Sequence, residues 1–439
     1  MTLVQNHRPL LSGNKLWLLL VVLMFATQSC SIFQKKSKTP TPPPEIVEPV
    51  TDKEPEEEEV PDAPEIIDVV DEDTIKRDLP ILKDVVNVGV ILPFDLDNLQ
   101  ATNSFSTASK NSFQLYKGIR LALEDLELND VDLKVHVLDN KRLDTRTKSL
   151  IADESFKDMD VVIGPLYPKN VRAVGLFAKQ NEIPFISPLS SVTSLAVENP
   201  FIYSAVATKQ TRYEVLFDYL KANYSNPNIG IMYQPLSKEV ATKDEVVSVA
   251  RQKGLTVTEQ ISEGAEMFSA VTNLLEAGRE NIVLVPAGND EEGQLYVDRL
   301  LGYLEFESNN FDITVVGMEE WNGYNSIAPS KFGVVKTLVL DRYFVDTYNS
   351  TVVSKMNDLR LRNGGKALTI YSLQGYDIMS YIGELIEMNG TDFMDEFGQR
   401  PYTGLQTQFI FDDFRNDFKE NKFINIVRYN NGAWELQNR

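Results

Sequence analysis

The chain has 439 residues and a formal net charge of −21, from 43 lysines and arginines against 64 aspartates and glutamates. A chain of this length is expected to form more than one domain. Its acidic excess would repel phosphate backbones and anionic lipid headgroups, which argues against nucleic-acid binding and polybasic membrane docking. The single cysteine excludes an intrachain disulfide framework and multi-cysteine metal sites.

The first 30 residues have the pattern of an export signal. Arg8 and Lys15 precede an apolar run at residues 16–26, about half of the roughly 20 residues that a membrane-spanning helix needs. The run leads to Cys30, and a small residue before a cysteine resembles a bacterial lipobox, in which the cysteine becomes the acylated N-terminus. Residues 1–29 are therefore predicted to be a lipoprotein signal peptide, with a palmitate-type anchor on Cys30. The alternative is an ordinary signal peptide and an incidental cysteine.

Residues after the cysteine bear on where such an anchor would lie. Ser31 stands where an aspartate would mark retention in the inner membrane, and Lys35 and Lys36 replace an acidic surface-export signal. The loose lipobox is similar to those of Bacteroidota lipoproteins. This resemblance implies an outer-membrane lipoprotein that faces the periplasm.

Residues 30–84 are predicted to form a disordered tether. Nine of the 21 prolines lie between residues 40 and 80, and residues 45–73 hold 14 acidic side chains and one basic side chain. A segment so poor in large apolar residues cannot offset the entropy lost on ordering. Charge repulsion and prolines would keep it extended.

From residue 85 onward, short apolar runs alternate with longer amphipathic stretches, which predicts parallel sheets covered by helices. In the first half, strands are predicted at 85–94, 133–137, 161–166 and 183–187, with helices near 115–126 and 170–180. The same alternation is predicted again in the second half, with strands at 228–233, 255–261, 281–286 and 311–316 and helices at 212–224, 244–252, 266–277 and 291–303. The tail, with a helix at 376–387 and strands at 406–411 and 423–429, is expected to cross between the halves. Two α/β halves predict two lobes with a cleft between them.

Several stretches together resemble the type I periplasmic-binding-protein superfamily, which includes leucine/isoleucine/valine-binding proteins and receptor ligand-binding regions. They are VVNVGVILPF at 85–94, QLYKGIRLALEDL at 114–126, VVIGPLYPKNV at 161–171, IPFISPLSSVTS at 183–194 and YSLQGYDIMSYIGELIE at 371–387. The resemblance implies a two-lobed α/β fold in which each lobe is a parallel sheet flanked by helices. Lobe 1 would comprise residues 85–207 and about 341–403, and lobe 2 about 208–340 and 404–439.

Ligands of open α/β sheets bind outside the carboxyl ends of the strands, where the strand order reverses. This rule selects ten candidate residues: Phe94, Asp95, Tyr167, Ser190 and Ser191 in lobe 1, and Tyr233, Asn289, Asp290, Glu319 and Trp321 in lobe 2. The two serines, with free N–H groups near Asn170, would hold a carboxylate. Glu319, Glu320 or Asp290 would pair with an amine, and Trp321 would stack on a ring. The alternatives are a strand-ending turn at 187–191 and solvated loop charges at the acids.

Two further features modify this prediction. Amino-acid binders of the superfamily have a serine where this sequence has Pro168, which offers neither a hydroxyl nor an N–H. Residues 95–112 are rich in Asp, Asn, Gln, Ser and Thr, and predict a long polar loop or lid over the cleft.

An enzymatic role is not expected. His7 would leave with the signal peptide, so that His136 is the one remaining histidine, and neither a GxSxG elbow nor a GxxxxGK[ST] phosphate loop is present. We expect no cofactor and no metal. The leading hypothesis is a lipid-anchored periplasmic protein that closes two lobes on a small polar ligand, either amino-acid-like or a cell-wall fragment. The alternatives are a non-catalytic regulator of a peptidoglycan synthase that acts through contacts with this envelope protein, and the substrate-binding component of an ABC transporter.

Overall fold

The computed structural model describes residues 86–128, 133–191, 198–288, 290–415 and 417–438. The chain divides into two compact units, Met1–Glu72 and Asp73–Arg439, and every described residue belongs to the second. The predicted signal peptide, Cys30, the tether and Asn289 therefore lie outside the described residues. Within the described residues, no helix combines the length and apolar character needed to cross a membrane.

The strands fall into two sets that follow one another along the chain. Strands of the first sheet are β1 (Val86–Leu92), β2 (Leu133–Asp139), β3 (Val161–Ile163), β4 (Phe185–Ser187), β5 (Ile202–Ser204), β13 (Phe411–Phe414) and β14 (Phe418–Asn421). Strands of the second sheet are β6 (Asn228–Tyr233), β7 (Thr258–Ile261), β8 (Glu280–Leu284), β9 (Asp312–Gly317), β10 (Leu338–Asp341), β15 (Asn425–Asn430) and β16 (Ala433–Leu436). A separate small hairpin joins β11 (Tyr402–Thr403) and β12 (Gln408–Phe409).

Helices alternate with these strands. They are α1 (Leu96–Thr102), α2 (Thr107–Leu128), α3 (Asp144–Ile151), α4 (Pro168–Asn181), α5 (Lys209–Asn223), α6 (Ser237–Gln252), α7 (Met267–Leu274), α8 (Glu291–Glu307), α9 (Pro329–Val334), α10 (Ser350–Arg362) and α11 (Ile370–Asn389). Short 3₁₀ turns lie at Glu154–Asp158, Gly264–Glu266, Glu319–Gly323 and Gly390–Met394.

The two sheets have the same strand order. The first runs β2-β1-β3-β4-β5-β14-β13 and the second runs β7-β6-β8-β9-β10-β15-β16. In each, five parallel strands are followed by two strands from the tail of the chain, and the order reverses at β1 and at β6. This arrangement confirms the prediction of two lobes, each built on a largely parallel sheet flanked by helices.

The central strands are mostly apolar because both faces of each sheet are covered. In β1, Val88 aligns with Val135 of β2 on one side and with Val161 of β3 on the other. Val88 and Val90 belong to one buried cluster of the first lobe, whereas Ile91 belongs to a second cluster. The second lobe likewise has two buried clusters.

The chain crosses between the two sheets three times, near residues 205–208, 341–350 and 421–425. Glu420 fastens two of these crossings together and is fully buried. Its carboxylate accepts the N–H of Thr208 at 2.9 Å and the hydroxyl of Thr211, and it pairs with Lys422 at 2.7 Å. The last crossing therefore lies some 20 residues beyond the expected boundary near 403, because β13 and β14 extend the first sheet.

Residues 95–112 contain two helical segments, so the expectation of a long polar loop there was wrong. Helix α1 begins after Asp95, whose backbone lies in the left-handed region at φ 53°. The carboxylate of Asp139, at the end of β2, accepts the N–H groups of Asp95 and Leu96 at 3.1 Å each. A helix cap whose acceptor lies 43 residues away in the chain leaves no signal in the local sequence.

Candidate functional site

A cavity of about 250 Å³ lies at the carboxyl ends of β3 and β4. Its walls come from three sources: the strand-end loops of the first sheet, the crossing that follows β10, and the facing parts of α2 and α11. The lining residues are Asn111, Leu166, Tyr167, Leu189, Ser190, Arg342, Tyr343, Ile370 and Tyr371. The structure thus brings together two of the ten predicted residues, Tyr167 and Ser190.

Ser190 and Tyr167 are held by the backbone of neighbouring loops. The hydroxyl of Ser190 donates to the carbonyl oxygen of Leu166 at 2.5 Å, and the carbonyl of Ser190 accepts the hydroxyl of Ser187 at 2.9 Å. Tyr167 precedes α4 and makes no side-chain cap for that helix. In this arrangement Ser190 presents a hydroxyl oxygen that can accept a hydrogen bond, while its own proton is used inside the wall.

The N-terminus of α4 is a weaker anion site than the sequence suggested. Pro168 occupies its first turn, which removes one backbone donor, and the N–H of Asn170 donates to the carbonyl of Tyr167 at 2.9 Å. The side chain of Asn170 is buried and donates to the hydroxyl of Thr147 at 3.2 Å. Ser191 is half-buried and stands directly before residues 192–197, which lie outside the described ranges.

Glu319 is paired within the second lobe, contrary to the expectation that it would be open to an amine. Arg342 donates from Nε to Glu319 Oε2 at 2.8 Å and from a second guanidinium nitrogen to Oε1, and Arg212 lies 3.7 Å away. Burial lowers the pKa of Arg342, but the hydrogen bonds and charge of Glu319 outweigh it, so that the pKa is raised. Two guanidinium groups share this one carboxylate, and the carboxylates of Glu320 and Asp341 also act on this cluster, so that it carries no positive excess.

Trp321 is fully buried, which rules out the predicted stacking on a ligand ring. Its indole N–H donates to the carbonyl of Ala287 at 2.8 Å, and its ring packs near Phe332 with 6.3 Å between ring centres. A Cβ on Gly317 would overlap this ring, so the glycine makes room for it. Trp321 is therefore part of the core of the second lobe.

The remaining predicted residues of the described chain lie in the core, in a turn and at a helix cap. Phe94 and Tyr233 are buried, with the ring of Phe94 packed against that of Phe113 at 5.0 Å between centres. Asp95 provides the left-handed turn before α1. Asp290 caps α8 by accepting the N–H of Gly293 at 2.9 Å.

Five lining residues were not predicted from the sequence: Asn111, Arg342, Tyr343, Ile370 and Tyr371. Arg342 and Tyr343 directly follow β10, a fully buried strand. The apolar residues 338–340 were a signal for that strand, and applying the strand-end rule to it would have found Arg342. Asp341, the last residue of β10, is also buried, and this burial raises its pKa to about 6 even though it accepts the N–H of Tyr343 at 2.8 Å.

The model of the family described as receptor family ligand binding region matches residues 92–296. No curated protein matches the sequence.

Three solved structures have similar folds. A putative branched-chain amino acid ABC transporter from Rhodospirillum rubrum is 11% identical with a TM-score of 0.60, covering 80% of this chain and 100% of that chain. The C-domain of LpoA (YraM) from Haemophilus influenzae, a regulator of PBP1A, is 12% identical with a TM-score of 0.55 and the same coverage. An ABC transporter substrate-binding protein from Desulfitobacterium hafniense in complex with Leu is 14% identical with a TM-score of 0.50, again over 80% and 100%. At these identities the likeness establishes the fold alone, and it confirms the resemblance that the sequence shows.

Proposed function

We propose that this chain, which has the type I periplasmic-binding-protein fold, binds a small polar ligand in the cleft between its lobes. The observation that carries the proposal is the cavity of about 250 Å³ at the carboxyl ends of β3 and β4. Arg342 and Tyr343, which line it, lie on a crossing between the two sheets. A ligand there would touch the first lobe and the connection to the second at once, as closure requires.

The lining residues indicate what kind of ligand fits. Tyr167, Tyr343 and Tyr371 provide flat apolar surfaces, whereas Asn111 and Ser190 provide an amide and a hydroxyl. Leu166, Leu189 and Ile370 complete the apolar part of the wall, and a few polar groups in such a wall orient a ligand while the rest of its surface is buried. The volume is close to the lower end of the range of ligand sites, about 300 Å³, which suits an amino-acid-like molecule or a small cell-wall fragment.

Closure would be a hinge motion at the crossings. The network of Glu420 with Thr208, Thr211 and Lys422 ties the first and third crossings, so both must move as one unit. A ligand closes such a hinge only to the extent that it binds the closed form more tightly than the open form. Thermal-shift and small-angle X-ray scattering measurements with amino acids, peptides and muropeptides test this proposal.

The discriminating variant for this site is Tyr371→Ala, which removes one cavity wall. A ligand from the panel should raise the melting temperature of the natural chain and reduce its radius of gyration, and both effects should weaken in this variant. Phe306→Ala is the matched control, because Phe306 on α8 is 62% exposed and does not line the cavity. A broad panel without any stabilising ligand would contradict the proposal.

The lipid anchor on Cys30 and the outer-membrane location facing the periplasm are part of the same proposal and are supported by the sequence pattern of residues 8–36. Metabolic labelling with an alkynyl palmitate should mark the natural chain and leave Cys30→Ser unmarked. Labelling of both would place the acyl group elsewhere.

Delivery to an ABC transporter predicts loss of ligand uptake in a strain that lacks the chain.

A second candidate is a regulator of a peptidoglycan synthase, since the LpoA C-domain, which has a similar fold, is a regulator of PBP1A. It is favoured by the pairing of Glu319 with Arg342 and by Pro168, which leave an amino-acid clamp incomplete. Cross-linking in intact cells should then recover a synthase with the natural chain and with Tyr371→Ala in equal amounts. Recovery of no synthase would reject this candidate.

A further inference from the structure

A basic edge borders the cavity on the first lobe, within a molecule that is acidic overall. Residues 85–439 contain 34 basic and 48 acidic side chains. By contrast, residues 139–148 and 167–172 contain six basic and two acidic side chains. The first stretch follows β2 and the second follows β3, so both lie at the carboxyl end of the sheet, where the cavity is.

Most of the positive charge of this edge is not neutralised. The two acids are engaged, because Asp144 pairs with Lys148 at 2.7 Å and Asp139 accepts backbone N–H groups. Lys141 pairs with Asp97. The remaining four basic residues are exposed and have no ion-pair partner among the described residues: Arg142, Arg146, Lys169 and Arg172.

Arg142 connects this edge to the cavity. Its guanidinium carbon lies 4.3 Å from the ring centre of Tyr167, which is a lining residue. A guanidinium that stacks on a ring keeps its N–H groups at the edge of the plane, where they can donate to an anion. The stacking therefore positions a bidentate donor next to the wall of the cavity.

The backbone that carries Arg142 is strained, and the strain is supported by buried polar groups. Lys141 and Arg142 are consecutive left-handed residues, with φ of 51° and 59°. Such residues cost free energy and concentrate at functional sites. The carboxylate of Asp139 accepts the N–H of Lys141 at 2.9 Å, and the side-chain oxygen of the fully buried Asn140 accepts the N–H of Arg142 at 3.3 Å.

Asn140 extends this support into the core of the lobe. Its amide donates to the hydroxyl of Thr147 at 3.1 Å, and the same hydroxyl accepts the amide of Asn170 on α4. The turn that carries Arg142 and the helix that carries Lys169 and Arg172 are thus joined through one buried network. The network therefore links the two segments that carry the three cations, and Arg142 in addition stacks on Tyr167.

We infer that Arg142, Lys169 and Arg172 form an anion-binding subsite at the first-lobe edge of the cleft, and that the ligand carries an acidic group there, either a carboxylate or a phosphate. The inference rests on the proposed binding function of the cleft and narrows it to acidic ligands.

Isothermal titration of the detergent-solubilised full chain with inorganic phosphate, glutamate and glutamine tests the subsite. Phosphate or glutamate should bind at millimolar concentration, with an affinity that falls as salt is added. The affinity for that anion should fall at least tenfold in Arg142→Asn and in Arg172→Gln. The affinity for glutamine, whose side chain is neutral, should be the same in both variants as in the natural chain.

Two controls separate binding from folding. Asparagine adopts the left-handed region readily, so Arg142→Asn should keep the turn and a near-natural melting temperature. Arg251→Gln removes an exposed arginine at the end of α6 and should leave anion affinity unchanged. An effect on phosphate alone would identify a phosphate ligand, and an effect on glutamate alone a carboxylate.

Failure of the inference is distinct from failure of the proposed function. Absence of anion binding at millimolar concentration, or an equal loss in Arg251→Gln, would overturn the subsite. Closure on a neutral ligand with unchanged affinity in Arg142→Asn would also overturn it while the binding function stands. Anion binding that depends on Arg142 but never closes the lobes would retain the subsite and reject the proposed function.

Discussion

The close crossing of α2 and α11 gives the sharpest test of the structure, through the substitution Gly118→Ala. An added Cβ on Gly118 would overlap the carbonyl oxygen of Ser372 and lie 2.7 Å from both the carbonyl carbon of Ser372 and the amide nitrogen of Tyr376. Gly375 on the opposite helix faces Leu115 in the same way, with 2.9 Å to its carbonyl carbon. Because these are backbone atoms, no change of rotamer relieves the overlap, and the helices must move apart.

The magnitude follows from the size of the displacement. Moving the added carbon from 2.7 Å to an ordinary contact of about 3.5 Å already requires the helices to separate by roughly 1 Å, and the overlap with the carbonyl oxygen of Ser372 requires more. The interface that would open contains the fully buried Leu115 and Ile119. Overpacking typically costs about 1–3 kcal/mol, and contact with rigid backbone places this case near 3 kcal/mol. At about 2 °C per kcal/mol for a chain of this size, the melting temperature should fall by about 6 °C.

Thermal unfolding followed by circular dichroism measures this shift. The matched control is Gly302→Ala on α8, where the added carbon would have one neighbour, the Nζ of Lys331 at 3.8 Å. Alanine is favoured over glycine inside a helix by about 0.5–1 kcal/mol, so this variant should melt at the natural temperature or slightly above it. Equal melting temperatures for the two variants would refute the close crossing. The crossing also sets the cavity, since Asn111 is on α2 and Tyr371 is on α11.

Three further predictions concern buried carboxylates. Burial raises the pKa of Asp377 from 3.8 to about 7, although hydrogen bonds from backbone N–H groups act to lower it. The stability that protonated Asp377 contributes is therefore complete below pH 3.8 and is lost as the pH rises through 7. The melting temperature of Asp377→Asn relative to the natural chain should therefore increase between pH 5 and pH 8, and a constant difference would contradict the raised pKa. Glu420→Ala should lower the free energy of unfolding in urea by about 3 kcal/mol, because it leaves buried donors at the crossings unpaired. The control Lys419→Ala removes a half-buried neighbour that pairs with the exposed Asp413 at 3.0 Å, and it should cost less than about 1 kcal/mol. Glu319→Gln should lower the pKa of Asp341 from about 6, since burial and then the charge of Glu319 raise it, and an NMR titration that finds no change would show that the two groups do not interact.

Sequence patterns predicted the two sheets because the relevant information is local. The run at 228–233 coincides with β6, and the alternation at 133–137 falls within β2, because burial of a strand is recorded in its own side chains. Helix α1 was missed because its cap comes from Asp139, and the last crossing was misplaced because β14 pairs with β5, more than 200 residues earlier. Features that depend on a partner far along the chain leave no local pattern.

The candidate site shows the same limit in its electrostatics. The strand-end rule found Tyr167, Ser190 and Glu319 because position along a strand is local, but it assigned Glu319 to a ligand amine on the strength of its charge alone. The actual role of a charged group depends on what lies within about 4 Å of it, and for Glu319 these groups are Arg342 and Arg212. Pairing removes the carboxylate of Glu319 from ligand binding, whereas Arg142 on the first lobe has no ion-pair partner among the described residues. The chain as a whole carries a charge of −21, so the anion preference proposed for the cleft rests on the exposed basic side chains at the first-lobe edge and not on the overall charge.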